Sequence, residues 1–372
     1  MRCKYKMAKS RNGFVDILRI VFAFLVVEFH FWGSGEGAYH LGKLGVEFFV
    51  ILSGFFFFSS YSRQIGNATT LGDRLNYWKN YMKNRYFRFF WYALVAFILV
   101  FIVKRVWWEG ISSVGEFADK MSGDIWEILL VKMSGLNREK GLLNGPAWTL
   151  SSMLIAEFFI LGMLIWAKRF FLSLFMPLSL LGGVGFWINM ESADKDIFLG
   201  LFTFGTLRVY LLTCCGIIAY FLSQQLSNTH FSNFGKGCLN IFELVSYAGV
   251  IYIAYSRGTR NWQFVSILFL TMAIAISFSG WSYAQTAIKS NKLTNFLGEL
   301  SLSLYLTHEI WLYTYKQWYP DEIVRWTHER EFILAVFAVG IIYTLAMRGF
   351  MRVLPYMQKL VHDAFITKEQ SA

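Results

Sequence analysis

Residues 16–35 read DILRIVFAFLVVEFHFWGSG, an apolar run that keeps Arg19 near one end and His30 near the other. As a helix it is long enough to cross the ~30 Å hydrocarbon layer of a bilayer. The two ionisable residues stand eleven positions apart, which at 100° per residue is 1100°, or roughly 20° beyond three full turns. They therefore share one face, separated by about 16 Å along the axis at a rise of ~1.5 Å per residue. Asp16 joins the same stripe three residues before Arg19 and can pair with it, whereas Glu28 is rotated to a different face. Charges inside a membrane helix are costly and usually face a cavity or a partner. Taken singly, Arg19 reads equally well as a side chain snorkelling to the headgroups, and His30 as an interfacial imidazole bonded to a carbonyl.

The composition extends this setting to the whole chain. Of 372 residues, 56% are hydrophobic, 19% aromatic and only 16% charged, with a mean hydropathy of +0.43, so most of the chain belongs out of water. The expected fold class is an all-α integral membrane protein with about ten transmembrane helices, at 14–32, 44–62, 87–105, 147–167, 170–188, 204–224, 240–256, 262–282, 296–316 and 331–350. With both termini cytoplasmic, that side carries 20 of the Lys and Arg residues in the loops and at the span ends and the other side 13, the bias the positive-inside rule requires. This orientation puts 33–43, 106–146 and 317–330 outside. The first apolar segment is too long and too charged for a cleaved signal peptide and is expected to stay as the first span.

The net charge of +11 then reads as positive-inside bias plus contact with anionic lipid headgroups. The basic residues are scattered over many loops, which excludes a nucleic-acid-binding surface. Cys3, Cys214, Cys215 and Cys238 offer neither metal spacing nor a disulfide framework, and no metal site is expected. In the long outer segment, Phe117, Met121, Trp126, Leu129, Leu130 and Met133 fall at helical spacing, as in a short amphipathic helix on the membrane surface.

The second span, GKLGVEFFVILSGFFFFSSY, runs back towards the inside and places Glu47 one turn into its outer end, at a depth comparable with His30. A carboxylate there could orient the imidazole and raise its basicity. Ser53 and Gly54 make a small polar break in mid-helix, suited to close helix packing or to the approach of a ligand. In KNRYFRFFWY, Arg85 and Arg88 share one helical face at the entrance to the third span, where two guanidinium groups could hold a phosphate or simply anchor the topology.

Taken together, DILRIVFAFLVVEFH, GKLGVEFFVILSGFFFF, NRYFRFFW and LGELSLSLYLTHEIW resemble the successive landmarks of the membrane-bound acyltransferase 3 family of bacterial surface-glycan O-acyltransferases. Weaker likeness in NGPAWTLSSMLIAEFF and LRVYLLTCCGIIAYFL extends the resemblance over nearly the whole chain. The resemblance implies an acyltransferase 3-like transmembrane domain over 1–360 and a short cytoplasmic tail over 361–372. It puts the family's spaced Arg and His on Arg19 and His30, its acidic residue on Glu47, its Ser-Gly-Phe on Ser53, Gly54 and Phe55, its paired Arg on Arg85 and Arg88, its mid-chain membrane Arg on Arg208, and its late Tyr-Leu-x-His on Tyr305, Leu306 and His308. The chain departs from many members in one place, with Met153 where they carry Glu five residues after the Trp.

The resemblance implies that acetyl-CoA, or another acyl-CoA, is the donor in the cytoplasm and that the acyl group reaches a hydroxyl of an extracytoplasmic glycan or lipid-linked saccharide. Arg85, Arg88 and Arg19, with Ser53, Gly54 and Arg208, would hold the donor. His30 would be the general base or a transient acyl carrier, oriented by Glu47. Trp148, Tyr305 and His308 would line the acceptor pocket. The implied location is the bacterial cytoplasmic membrane, as a multi-pass protein. A transporter or flippase of a glycolipid or acyl group, or a succinyl-transferring relative, would carry much the same intramembrane charges. The sequence says nothing of the oligomeric state.

Overall fold

A computed structural model describes residues 11–32, 42–65, 70–134, 143–189, 197, 199, 202–256 and 260–369. Apolar segments in lipid must satisfy their backbone hydrogen bonds internally, and the described residues form helices throughout, with a lone bridge between Asn12 and Lys289 the one β-type pairing among them. The helices are α1 (Gly13–Trp32), α2 (Leu44–Ile65), α3 (Leu71–Phe101), α4 (Val114–Ile128), α5 (Ala147–Phe170), α6 (Met176–Asn189), α7 (Phe204–Asn228), α8 (Asn233–Tyr255), α9 (Arg260–Ser277), α10 (Tyr283–Ala287), α11 (Lys292–Trp318), α12 (Glu322–Thr327) and α13 (Glu329–Glu369). Several starts are capped by side chains that accept from the first free amides: Thr70 and Asn291 in reciprocal capping boxes, and Thr203 and Ser232 singly.

Six helical runs are long and apolar enough to cross a membrane: Leu44–Ile65, Leu71–Trp108, Ala147–Ile188, Phe204–Asn228, Asn233–Tyr255 and Glu329–Tyr356. Each of the ten expected spans overlaps helix, the one at 262–282 only as far as Ser277, but α1 and α11 carry ionisable residues along their length and stand outside this set of six, as does the shorter apolar helix Trp262–Ser277. The run Ala147–Ile188 is 42 residues long, about 63 Å if straight, and it does not stay straight. Ala167 leaves helical geometry at φ −138°, ψ 45°, and a wide π-helical turn follows at Phe171–Phe175. Ser152 then meets Thr206 and the Phe159 ring meets Tyr210, while Ser179 meets Tyr210 and Trp187 meets Phe204. α6 therefore returns along α7, antiparallel to the path of α5. At the other end of the chain, α13 runs on to Glu369 with no break at 361.

Small residues set the tightest helix approaches, the usual device where lipid and side chain are equally apolar. A Cβ on Gly54 would lie 2.5 Å from the Thr213 carbonyl oxygen, and one on Gly216 would run into the carbonyl of Ile51, so α2 and α7 meet backbone to backbone. Gly42 lies against Phe29, and Gly45 against Phe22 and Val26, while Phe22 and Phe48 stack at 4.1 Å. These pairs make α1 and α2 antiparallel and fix their register. Gly298 sets the register of α11 against α1, leaving room for Asp16 and Arg11, and with His30 beside His308 further along the two helices run parallel.

The amphipathic helix expected over the long outer segment is α4, with Met121 partly buried and Leu130 and Met133 buried just beyond its end, while Phe117 and Trp126 are exposed. Residues 33–41 of the expected first outer loop lie outside the described residues.

Candidate active site

A cavity of about 620 Å³ opens between α1, α2, α3, α5 and α11. Arg11 just before α1 and Asp16 and Arg19 in its N-terminal half line it, with Ser53 from the middle of α2, Arg63 from its end, and Arg85 and Arg88 from α3. At the opposite end the walls are Val46, Phe49, Thr149, Leu150 and Tyr305. The charge is thus gathered at one end of the cavity, and the other is lined by apolar and hydroxyl side chains.

Not all of the arginines are equivalent. Arg85 places Nη2 2.7 Å from Oε1 of Glu157 and Nε 2.9 Å from its Oε2, and Nη2 also reaches Ser53 Oγ. Tyr81 donates to the same carboxylate at 3.2 Å. Glu157 is 1% exposed, so this bidentate pair neutralises a buried charge. Arg11 and Arg19 both bond Asp16, at 2.6 and 3.2 Å. Arg63 and Arg88 line the cavity with no carboxylate partner among the described residues. Of the two arginines expected to hold a phosphate, both line the cavity, Arg85 paired with Glu157 and Arg88 beside Arg63. Glu157 was not singled out from the sequence. It lies four residues after Met153, one turn along α5 from the position where the family's acid was sought, and an acid in an apolar run with an arginine nearby was the signal.

Glu47 is likewise not where the sequence put it. Because Gly42 lies beside Phe29 and Gly45 beside Phe22 and Val26, Glu47 sits more than a turn deeper than His30. Its Oε1 accepts from Arg208 Nη2 at 2.6 Å and from Gln263, and its Oε2 has no hydrogen-bond partner among the described residues. It therefore does not orient His30. The carboxylate is fully buried and takes the nearest cation, on α7, whose guanidinium also lies over the Trp187 ring at 5.1 Å. Arg208 lies in this internal pair and Gly54 at the helix crossing, and neither is among the residues that line the cavity. Ser53 does line it, held by Glu157 and Arg85. Trp148 is buried in the main core at the start of α5 and stands outside the cavity lining.

The expected base has a different companion. His30 Nδ1 lies 2.7 Å from Nε2 of His308, the rings nearly parallel with centroids 4.9 Å apart. His308 is wholly buried and its Nδ1 lies 3.0 Å from the carbonyl oxygen of Leu304. Tyr305 joins this pair to the cavity: it lines the uncharged end, and its ring centroid is 6.4 Å from that of His308. Its hydroxyl donates to the Pro146 carbonyl at 3.2 Å and meets Thr149 Oγ1 at 2.5 Å. The Glu309 carboxylate brings a third group, the ligand atoms of His30, His308 and Glu309 all lying within 4.8 Å of one another, close enough to hold a cation. This cluster went unread because His30 and His308 are 278 residues apart.

The outer segment is tied down over the same region. Glu127 of α4 accepts from the amides of Leu143 and Asn144 at 2.7 Å each, Asn144 Nδ2 donates to the Leu306 carbonyl at 3.1 Å, and Gly145 packs against Glu309. Burial pushes the Glu127 carboxyl up to about 7 despite its two amide donors.

These features define a helical membrane protein with a basic cavity leading towards a histidine pair. The family model for the acyltransferase domain of the acyltransferase 3 family matches residues 12–348, and the chain belongs to that family. No curated protein matches it, and neither does any solved structure.

Proposed function

We propose that this membrane acyltransferase carries an acyl group, an acetyl in the first instance, from acyl-CoA on the cytoplasmic side to a hydroxyl of a glycan or lipid-linked saccharide beyond the membrane. The observation that carries the reading is the one cavity whose arginines lie at one end and whose other end closes on Tyr305, beside His308 and His30. A coenzyme with several phosphates and a long uncharged arm matches that polarity. Its phosphates would meet Arg63 and Arg88, with Arg19 deeper in the wall, and the pantetheine arm would extend between Phe49 and Tyr305. The positive-inside bias supports placing the basic end, and both termini, on the cytoplasmic side.

His30 accepts the hydroxyl proton as the oxygen attacks the thioester carbonyl. The carbon–sulfur bond breaks and the proton passes to the departing thiolate, giving ester and free thiol. A transient acyl-imidazole on His30, resolved by the hydroxyl, uses the same groups in two steps.

The test is purified protein in lipid nanodiscs, with acetyl-CoA and surface-glycan acceptors from the host, followed by free-thiol release and by mass spectrometry of the glycan. The expected result is a mass increase of one acetyl group, reduced in His30→Ala by the 10²–10⁴-fold typical of a lost general base. A succinyl increase would move the assignment to a relative with a different donor. Transport of a glycolipid with no thiol released, or full turnover in His30→Ala, would remove the reading.

A further inference from the structure

We infer that the uncharged end of this cavity is a neutral acyl pocket, which admits an uncharged acyl group such as acetyl and rejects one that carries a carboxylate, such as succinyl. The inference rests on the proposed function and deepens it, because a thioester held by its phosphates at Arg63 and Arg88 puts its acyl group at the opposite end. Three helices build the walls there with pairs of residues three apart, a spacing that puts both side chains on one helical face. The pairs are Val46 and Phe49 of α2, Leu150 and Met153 of α5, and Leu302 and Tyr305 of α11. None is charged. Val46, Leu150, Met153 and Tyr305 are buried, and the Phe49 and Tyr305 rings face each other with centroids 6.2 Å apart. The hydroxyls at this end are engaged with protein, Tyr305 donating to the Pro146 carbonyl at 3.2 Å and meeting Thr149 Oγ1 at 2.5 Å.

The neighbouring cations do not alter this balance. Arg85 gives Nη2 and Nε to the two oxygens of Glu157, and Arg19 bonds Asp16 at the charged end. Arg208 pairs with Glu47 and stands outside the cavity lining. Beyond Tyr305 lie the two imidazoles and the Glu309 carboxylate, whose ligand atoms are within 4.8 Å of one another, and the charge of Glu309 opposes a second anion. If a donor carboxylate drew a proton onto His30, the imidazole would already hold the proton that it must accept from the hydroxyl. A carboxylate at this end therefore either stays uncompensated or disables the base. Leaving a buried charge without its partner weighs roughly 10²–10³-fold in an equilibrium.

The experiment compares three donors: acetyl-CoA, succinyl-CoA and the monomethyl ester of succinyl-CoA, which is the largest of the three but carries no charge on its acyl group. All share the same phosphates, so differences between them report on the acyl end. Binding to wild-type protein in nanodiscs is read by calorimetry, and transfer to surface glycan by mass spectrometry, both at neutral pH. The expected result is kcat/KM for succinyl-CoA roughly 10²–10³-fold below that for acetyl-CoA, with weaker binding as well. The methyl ester should recover most of both losses. Leu150→Arg, with folding checked by gel filtration, should narrow the gap between succinyl-CoA and acetyl-CoA by giving the carboxylate a partner.

Equal affinity for the three donors, or equal turnover of acetyl-CoA and succinyl-CoA, would overturn the inference. So would rejection of the methyl ester as strong as that of succinyl-CoA, which would make size the limit in place of charge. Weaker binding of succinyl-CoA than of its methyl ester, in a protein that passes no acyl group to any glycan, would instead remove the functional reading and leave the pocket as inferred.

Discussion

Arg85 and Arg88 stand three residues apart on one face of α3, and the structure gives them opposite consequences on mutation. Arg85→Ala strips the cation from Glu157, a carboxylate 1% exposed that also holds Ser53 and Tyr81. Removing one partner of a buried pair leaves an uncompensated charge and costs about 3–5 kcal/mol, far more than the pair adds over an apolar replacement. Arg88 is exposed in the cavity wall with no carboxylate partner among the described residues, so Arg88→Ala should change stability by no more than ~0.5 kcal/mol. Its cost falls on the donor, where one charge-assisted contact is worth about 1.5–3 kcal/mol, or roughly 10- to 150-fold in affinity. Thermal unfolding in detergent and binding of CoA by calorimetry, run on both variants, separate the two effects. The double variant Arg85→Met with Glu157→Leu, which removes both charges together, should restore most of the stability that Arg85→Ala loses. If Arg85→Ala unfolds at the wild-type temperature and loses CoA affinity as Arg88→Ala does, Arg85 is a donor ligand and its pairing with Glu157 carries little weight.

Gly216→Val should prevent α2 and α7 from approaching, since its side chain would run into the carbonyl of Ile51 and the amide of Phe55; folded yield in detergent should collapse, while Gly162→Val, at a position open on all sides, should be tolerated. Glu127 makes the outer segment pH-sensitive. Its folded pKa of about 7 lies above the ordinary carboxylate value of 4.5, so the folded state holds the proton more tightly and stability falls as pH rises from 4.5 through 7. Hydrogen exchange at Leu143 and Asn144, corrected for intrinsic rate, should report weaker protection at pH 8 than at pH 5 in the wild type and a flat profile in Glu127→Gln.

The helices were legible because apolar length and the scarcity of charge determine them, and α1, α2 and α7 lie close to where the sequence placed them. Arg19, Ser53 and Arg88, expected at the donor, and Tyr305, expected in the acceptor pocket, line one and the same cavity. What the sequence concealed was pairing. A buried Glu and a buried Arg must each find a partner, but one helix does not say which neighbour comes near. The register of α2 against α1, set by Gly42 and Gly45, is what carries Glu47 away from His30 and towards Arg208. The reversal after Ala167 was expected as two spans, yet in the chain it is a kink and a widened turn within nearly continuous helix, with Pro177 just beyond, whose ring acts on the carbonyl of Ser173 within that turn. The histidine pair joins the first helix to the eleventh, and only folding brings such distant positions together.

The gathering of the arginines at one end of the cavity has an electrical consequence for the proposed reaction. Each elementary charge carried across a membrane potential of 100 mV changes the free energy by about 2.3 kcal/mol. If the donor's phosphates stop at Arg63 and Arg88, only the uncharged arm and its acyl group enter the field. The acyl group moves outward while one proton, taken from the acceptor hydroxyl, returns inward on the thiol. The exchange carries no net charge. Turnover on this scheme is indifferent to membrane voltage, so a cell could decorate its surface at the same rate whether its membrane is energised or collapsed, provided the cytoplasm still supplies the thioester.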